Sequence, residues 1–420
     1  MTAGGVGTNG RRPLLLYVHV PFCKSKCHFC DWVTGIDVAD LRVGPESSPR
    51  RRYIDAMRRQ IAHWGPLLAE YTPELVFWGG GTASLLTPEE IRAVWGALEE
   101  SFDLANVTEA TIESSPDTLD ADKLNVLLEL GFDRISVGLQ SLDDERLRRI
   151  GRTHDASTGA ASVRMARDAG FRNVSIDLIT GMPGQSVAEV EASVRRALDL
   201  PIDHVSLYAY RPSGHTVMRR QLERGFLGEI DLGVQLDSYA VGRRLLEDAG
   251  LPEYGVSMFG ALPCLADLAY FQLRMDWIGF GSGAFSMLDG ELRSMRRGGL
   301  HGYIEEPVVF DDALPAGGAL TAPSLMYLSL TTREGVARRY WEERTRLPLE
   351  VVLEHPEVRS FLERLGQFAE MESDADGLRV VPEQAAEAFI RYTHLFVPAN
   401  ARAGAAATAS SPVPGRAAAR

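Results

Sequence analysis

At least five times between residues 14 and 210 the chain repeats one cycle: an apolar strand, a glycine or polar turn, then a helix. Leu14–Val20, Leu75–Trp78, a strand ending at Glu113, one ending near Gln140, one running through Asp177 and the run HVSLYAY supply the strands. Helical spacing marks Arg51–Glu70, a helix opened near Thr87 by TPEE, Asp120–Leu130, a helix from Asp143, and Val187–Leu198. Strand, crossover helix, strand at this spacing predicts parallel strands joined by right-handed connections. A doubly wound sheet and a β/α barrel both satisfy the pattern. The residues just past the strand ends are chemically loaded: cysteines, Gly79–Thr82, Glu113, Gln140, Asp177 and Tyr208–Arg211. A barrel gathers such positions on one face, so the expected fold is α/β, an incomplete (β/α)6-type barrel.

The first strand runs directly into Cys23-Lys-Ser-Lys-Cys27-His-Phe-Cys30, which holds three of the four cysteines of the chain. Clustered thiolates in a chain with no recognisable secretory signal are expected to bind metal rather than pair as disulfides. A structural zinc site asks for four ligands, and a zinc knuckle completed by His28 is one reading of the trio. The other is an iron–sulfur cluster: a four-iron cluster given three thiolates keeps one iron open for a small chelating molecule. Cys264, far away in sequence, reads as a buried apolar residue.

At 420 residues the chain has room for a large domain and a smaller one. Its net charge of -13 gives no general footprint for nucleic acid or an anionic membrane surface. No apolar run reaches the length of a membrane span, and a reducing cytoplasm suits the cysteine usage. The expected organisation is a loose N-terminus over 1–11 and the barrel with an extension over 12–319. A small helical, winged-helix-like domain over 320–398 and a disordered Ala/Ser/Pro/Gly tail over 399–420 complete it.

Two features of the turns carry chemistry of their own. The Gly79–Gly81 run lets backbone approach a ligand and offers bare amides to a carboxylate. Glu113, past a strand end, is placed to accept hydrogen bonds from an ammonium or from ribose hydroxyls.

Six segments in order, LYVHVPFCKSKCHFCD, FWGGGTASLL, TIESSPDTL, GFDRISVGLQSLDDERLRRIGRTH, VSIDLITGMPGQS and DHVSLYAY, resemble the anaerobic coproporphyrinogen III oxidase branch of the radical S-adenosylmethionine (SAM) superfamily. The resemblance covers roughly residues 14–395. It implies a [4Fe-4S] cluster on Cys23, Cys27 and Cys30, with SAM on the open iron. It implies that Gly79, Gly80, Gly81 and Thr82 cradle the methionyl part of SAM, and that Tyr17, Glu113, Gln140, Arg152 and Asp177 contact it. Arg152 is then directed to the carboxylate and Asp177 to the ribose. Phe29 matches an aromatic bordering a second SAM. The chemistry implied is one-electron reductive cleavage of SAM to a deoxyadenosyl radical. A flavodoxin or ferredoxin would supply the electron, and a monomer is expected.

Within the branch, the oxidases and haem chaperones carry a Glu-x-Gly-Thr-like element where this chain has Arg211-Pro-Ser-Gly-His215-Thr216. The chaperone-like group carries a His-Asn pair where this chain has Asp267, Ala269, Tyr270 and Phe271 nearby. These departures point to the class C methyltransferases and cyclopropanases of antibiotic assembly. That assignment implies two SAM molecules, a small substrate with an sp2 carbon acceptor, and an acid or base. His215 is the first candidate, followed by Tyr210 and His19. A coproporphyrinogen-type decarboxylase and a haem-binding, chaperone-like protein are the alternatives.

Overall fold

The computed structural model describes residues 10–31, 35–36, 48–214, 216–295 and 299–397. Six parallel strands follow one another in sequence and in space: β1 (Arg12–Val20), β2 (Tyr71–Gly80), β3 (Glu109–Ser114), β4 (Arg134–Gln140), β5 (Asn173–Thr180) and β6 (His204–Ala209). The helices between them are α1 (Pro49–Leu67), α2 (Pro88–Ser101), α3 (Ala121–Glu129), the pair α4 (Asp144–Arg149) and α5 (Ala156–Ala169), and α6 (Val187–Leu198). Past β6 come α7 (Val217–Glu223), α8 (Leu232–Asp248), the antiparallel β7 (Glu253–Gly255) and β8 (Met258–Gly260), and α9 (Leu265–Phe271).

The chain then returns to the other side of β1. β9 (Asp276–Phe280) pairs with it in parallel, followed by antiparallel β10 (Phe285–Leu288), β11 (Glu291–Ser294) and β12 (Asp312–Pro315). The sheet order is β12-β11-β10-β9-β1-β2-β3-β4-β5-β6-β8-β7. Its two ends do not pair with each other, so the barrel is open.

Strand alternation decides which residues face the barrel interior. Leu16, Val18 and Val20 of β1, with Val76 and Trp78 of β2, are fully buried in the outer core. Trp78 stacks there against Trp95 of α2 and Phe132. The opposite parity faces inward, and parallel register sets Tyr17 beside Phe77, His19 beside Gly79, Glu113 beside Ser136 and Asp177 beside Ser206. The interior is therefore lined with polar and aromatic groups rather than aliphatic layers.

Helix starts follow their caps. Thr87 with Glu90, and Ser186 with Glu189, form reciprocal capping boxes for α2 and α6. The sequence pattern misses one break. The expected single helix from Asp143 stops at Arg149, Gly151 turns at φ +77°, and α5 begins only at Ala156 under the Asp155 cap.

The bottom of the barrel is closed by α9. The Glu109 carboxylate accepts hydrogen bonds from the Leu265 and Ala266 amides at 3.1 and 3.2 Å, and Arg134 lies buried beside it. Cys264 is buried as expected, but in polar company, with its sulfur 3.7 Å from Glu109.

A second core joins this end of the barrel to a C-terminal helical domain. α10 (Gly299–Glu305) packs on α1 of the barrel through Tyr303 and Ile304; the C-terminal domain contains α11 (Ala322–Leu330), α12 (Arg338–Thr345), α13 (Leu349–Leu353), α14 (Pro356–Leu365) and α15 (Pro382–His394). A three-stranded sheet of Val336–Ala337, Met371–Ser373 and Gly377–Val380 packs with them. Among the described residues no helix is long and apolar enough to cross a membrane. The tail expected over 399–420 and most of the N-terminal stretch lie outside the described residues.

Candidate functional site

The cysteine loop leaves the tip of β1 and is bolted down on two sides. Lys24 donates to the Asp117 carbonyl and lies 3.6 Å from its carboxylate. His28 is held by the turn between α4 and α5: its amide donates to the Ile150 carbonyl at 2.9 Å and its Nδ1 meets the Arg149 carbonyl at 2.9 Å. The ring is packed where a Cβ on Gly151 would stand, which fixes the cysteine loop to that turn. Among the described residues no three His, Cys, Asp or Glu side chains gather as a single ion requires.

The three sulfurs instead line one cavity of about 540 Å³, all partly exposed to it. Each faces a donor: Thr82 Oγ1 is 3.7 Å from Cys23, Arg152 Nη1 3.4 Å from Cys27, and Lys26 Nζ 3.8 Å from Cys30. Two cations and a hydroxyl around three thiolates, with the cavity side open, fit a four-iron cluster carrying three protein ligands.

The glycine turn packs against this loop with no room for side chains. A Cβ on Gly79 would lie 2.7 Å from the Glu113 carboxylate, one on Gly80 2.7 Å from the His19 ring, and one on Gly81 3.0 Å from the Cys23 sulfur. Gly80 also holds φ +111°, and its amide donates to Glu113 Oε2 at 3.0 Å. Behind it, Tyr17 Oη and His19 Nδ1 are 2.9 Å apart. Opposite, Gln140 sits at φ +68°, beyond a register shift after Gly138, so its side chain turns into the cavity. Arg152 Nη2 donates to the Gly138 carbonyl at 2.5 Å and to Ser115 Oγ at 3.2 Å.

Two half-buried carboxylates face the same space. Burial, helped by repulsion from Asp177, pushes Glu113 up to about 8. Burial pushes Asp177 up to about 6, against the hydrogen bonds of Ser206 and Ser136. A pair this poorly compensated favours a cation or hydroxyl donors between them.

Of the residues singled out in the sequence, Cys23, Cys27, Cys30, Phe29, Gly80, Gly81, Thr82, Glu113, Gln140, Arg152, Asp177 and Tyr210 line this cavity. Gly79 and Tyr17 support it from behind. His215 lies outside the described residues. The Tyr210 hydroxyl is buried without a hydrogen-bond partner, and burial pushes its phenol well above the usual range. The structure adds Lys24, Lys26 and Asp117, which flank motifs already recognised, and Tyr327 and Thr393, which come from the C-terminal domain.

Residues 17–197 match the sequence model of the radical SAM superfamily. A mouse protein, "Radical S-adenosyl methionine domain-containing protein 1, mitochondrial", is 30% identical over 341 residues, covering 78% of this chain and 75% of its own. The chain belongs to the radical SAM superfamily. "Heme chaperone HemW" of Bacillus subtilis is 28% identical over 338 residues, covering 78% of this chain and 86% of its own. The structure of coproporphyrinogen III oxidase HemN from Escherichia coli superposes with a TM-score of 0.71 at 23% identity, over 92% of this chain and 90% of that one. That likeness shows the fold, C-terminal helical domain included.

Membership implies a [4Fe-4S] cluster and SAM, which when bound supply one-electron chemistry at the sulfonium. Cys23, Cys27 and Cys30 would hold the cluster; Gly80, Gly81, Glu113, Gln140 and Asp177 would hold SAM.

The expected C-methylating or cyclopropanating enzyme of antibiotic assembly is overturned by these relatives. Proteins named haem chaperones match the chain through the barrel and beyond it, whereas the methyltransferase reading rested on two short departures. One of them, Asp267–Phe271, lies in α9, which closes the barrel bottom through Glu109. The other, residues 211–216, places Arg211 and Ser213 in the cavity wall.

Proposed function

We propose that this protein is a haem-binding, chaperone-like member of the superfamily. In this reading it holds a [4Fe-4S] cluster and SAM at the strand tips and takes haem in the part of the same cavity that reaches the C-terminal domain. The observation that carries the reading is the similarity to a protein named as a haem chaperone over 338 residues, well past the 17–197 that the superfamily alone accounts for. A cavity of about 540 Å³ is within the range of cofactor sites, roughly 300–1,000 Å³. Tyrosine is one of the side chains that ligate haem iron. Tyr208 is 48% exposed and, like Tyr210 and Tyr327, belongs to the cavity wall.

The chain's own groups do the positioning in this reading. The Gly80 amide and Glu113 orient one end of SAM, Asp177 the other, and the C-terminal domain limits access of water. An external one-electron donor of the flavodoxin or ferredoxin kind belongs to the proposal. Phe29 lines the cavity beside the cluster loop, and equilibrium dialysis with labelled SAM counts whether one or two molecules bind per cluster.

The test is haem titration of anaerobically reconstituted protein, followed by gel filtration and by product analysis with dithionite and SAM. Haem retained at about one per chain supports the reading. Failure to retain haem, with decarboxylation of coproporphyrinogen, replaces it with the oxidase alternative.

A further inference from the structure

The far end of the cavity, away from the cysteines, is built by the loop after β6 and by α11 and α15. The cations at the cysteine end are engaged: Lys24 with Asp117, Lys26 with Cys30, and Arg152 with Cys27, Ser115 and Gly138. Arg211 differs. It lines the cavity, is exposed to it, and makes no hydrogen bond or ion pair among the described residues. Asp31 lines the same cavity near Gly214, yet no ion pair joins it to Arg211.

The nearby aromatic surface is fixed. The Tyr327 ring, which lines the same cavity as Arg211, packs edge-on against Phe389 at 5.2 Å and lies 6.2 Å from Phe361. A guanidinium with its planar fork unspent matches a carboxylate in two-point geometry. A ring held in place in the same wall adds aromatic surface for a flat ligand body.

We propose that Arg211, in the same cavity wall as the Tyr327 ring, is the carboxylate-recognition point of this cavity and pairs with an acid side chain of a planar tetrapyrrole. The assignment rests on the haem reading above and adds to it the group on the ligand that is recognised.

Ferric protoporphyrin IX and its dimethyl ester share the ring and the iron but differ in carboxylate charge, so the pair isolates the contact. Both are titrated by absorbance into the full chain and into R211A, with the cluster reconstituted. The wild type is expected to prefer the diacid by about tenfold or more. R211A is expected to lose that preference while binding the diester as the wild type does, which a folding defect would not produce. Equal affinity of the wild type for both porphyrins, or a preference retained in R211A, overturns the role of Arg211 and leaves the haem reading standing. Failure of both porphyrins to bind the wild type overturns the haem reading and this assignment with it.

Discussion

Replacing Glu113 by glutamine should stabilise the cofactor-free protein, and more so as pH rises. The Gly80 amide keeps its acceptor in E113Q, since the side-chain oxygen of glutamine can take the same bond. What changes is the charge. Burial and Asp177 raise the folded carboxyl to about 8, from an ordinary 4.5. A group raised on folding contributes stability that is whole below its unfolded pKa and is lost as pH climbs through the folded one. From pH 6 to about 8 that loss is bounded by about 1.4 kcal/mol per pH unit, or about 2.7 kcal/mol. Glu113 opens onto the cavity, which screens it, so about 1.5 kcal/mol is the expected growth of the E113Q advantage between pH 6 and 8.5. Urea unfolding of the cofactor-free wild type and variant at pH 6, 7 and 8.5 measures it. An advantage that stays flat with pH, or reverses, would refute the electrostatic account of the site. The same variant should bind SAM more weakly in the loaded protein, because the charge costly to the empty site is the one the ligand uses.

Three further outcomes can be checked separately. Substituting Cys23, Cys27 and Cys30 together by alanine should leave reconstituted protein without stoichiometric iron and sulfide, whereas C264A should load like the wild type. Gly80→Ala forces a Cβ to within 2.7 Å of the His19 ring at a positive φ, so it should cost about 1–3 kcal/mol in urea unfolding and lower SAM affinity at least about tenfold in dialysis. Arg134→Met leaves Glu109 and Asp267 without the buried guanidinium that faces them. It should cost about 3–5 kcal/mol of unfolding free energy, with the effect largest above neutral pH.

The barrel and its loaded tips were legible because each signal is local. Apolar runs mark the strands, Thr87 with its acids marks a helix start, and the cysteine and glycine turns lie within a few residues of a strand end. Tyr327 and Thr393 were not legible: they enter the cavity from a domain whose docking depends on a core shared with Leu15, Leu75 and Trp277. The commitment of His28 to the α4–α5 turn was equally hidden, because it depends on Arg149 and Ile150, more than a hundred residues away. The functional reading failed for a related reason. The departures near Asp267 and at Arg211 are local, whereas the similarity to a protein named as a haem chaperone extends over 338 residues.

One side chain splices the two halves of the molecule. Gln235 of α8 donates from its amide nitrogen to the carbonyls of Gly181 and Tyr210, while its oxygen lies 3.3 Å from the Nδ1 of His394 at the end of α15. The loops beyond β5 and β6 are thereby tied to the C-terminal helix, which also packs into the barrel core through Ala386 and Ile390. A small rotation of that helix would tug on the backbone carrying Tyr210 and Arg211 and change the aperture at that end. On the proposed haem reading, that link couples the docking of the C-terminal domain to the end of the cavity where Tyr210 and Arg211 stand.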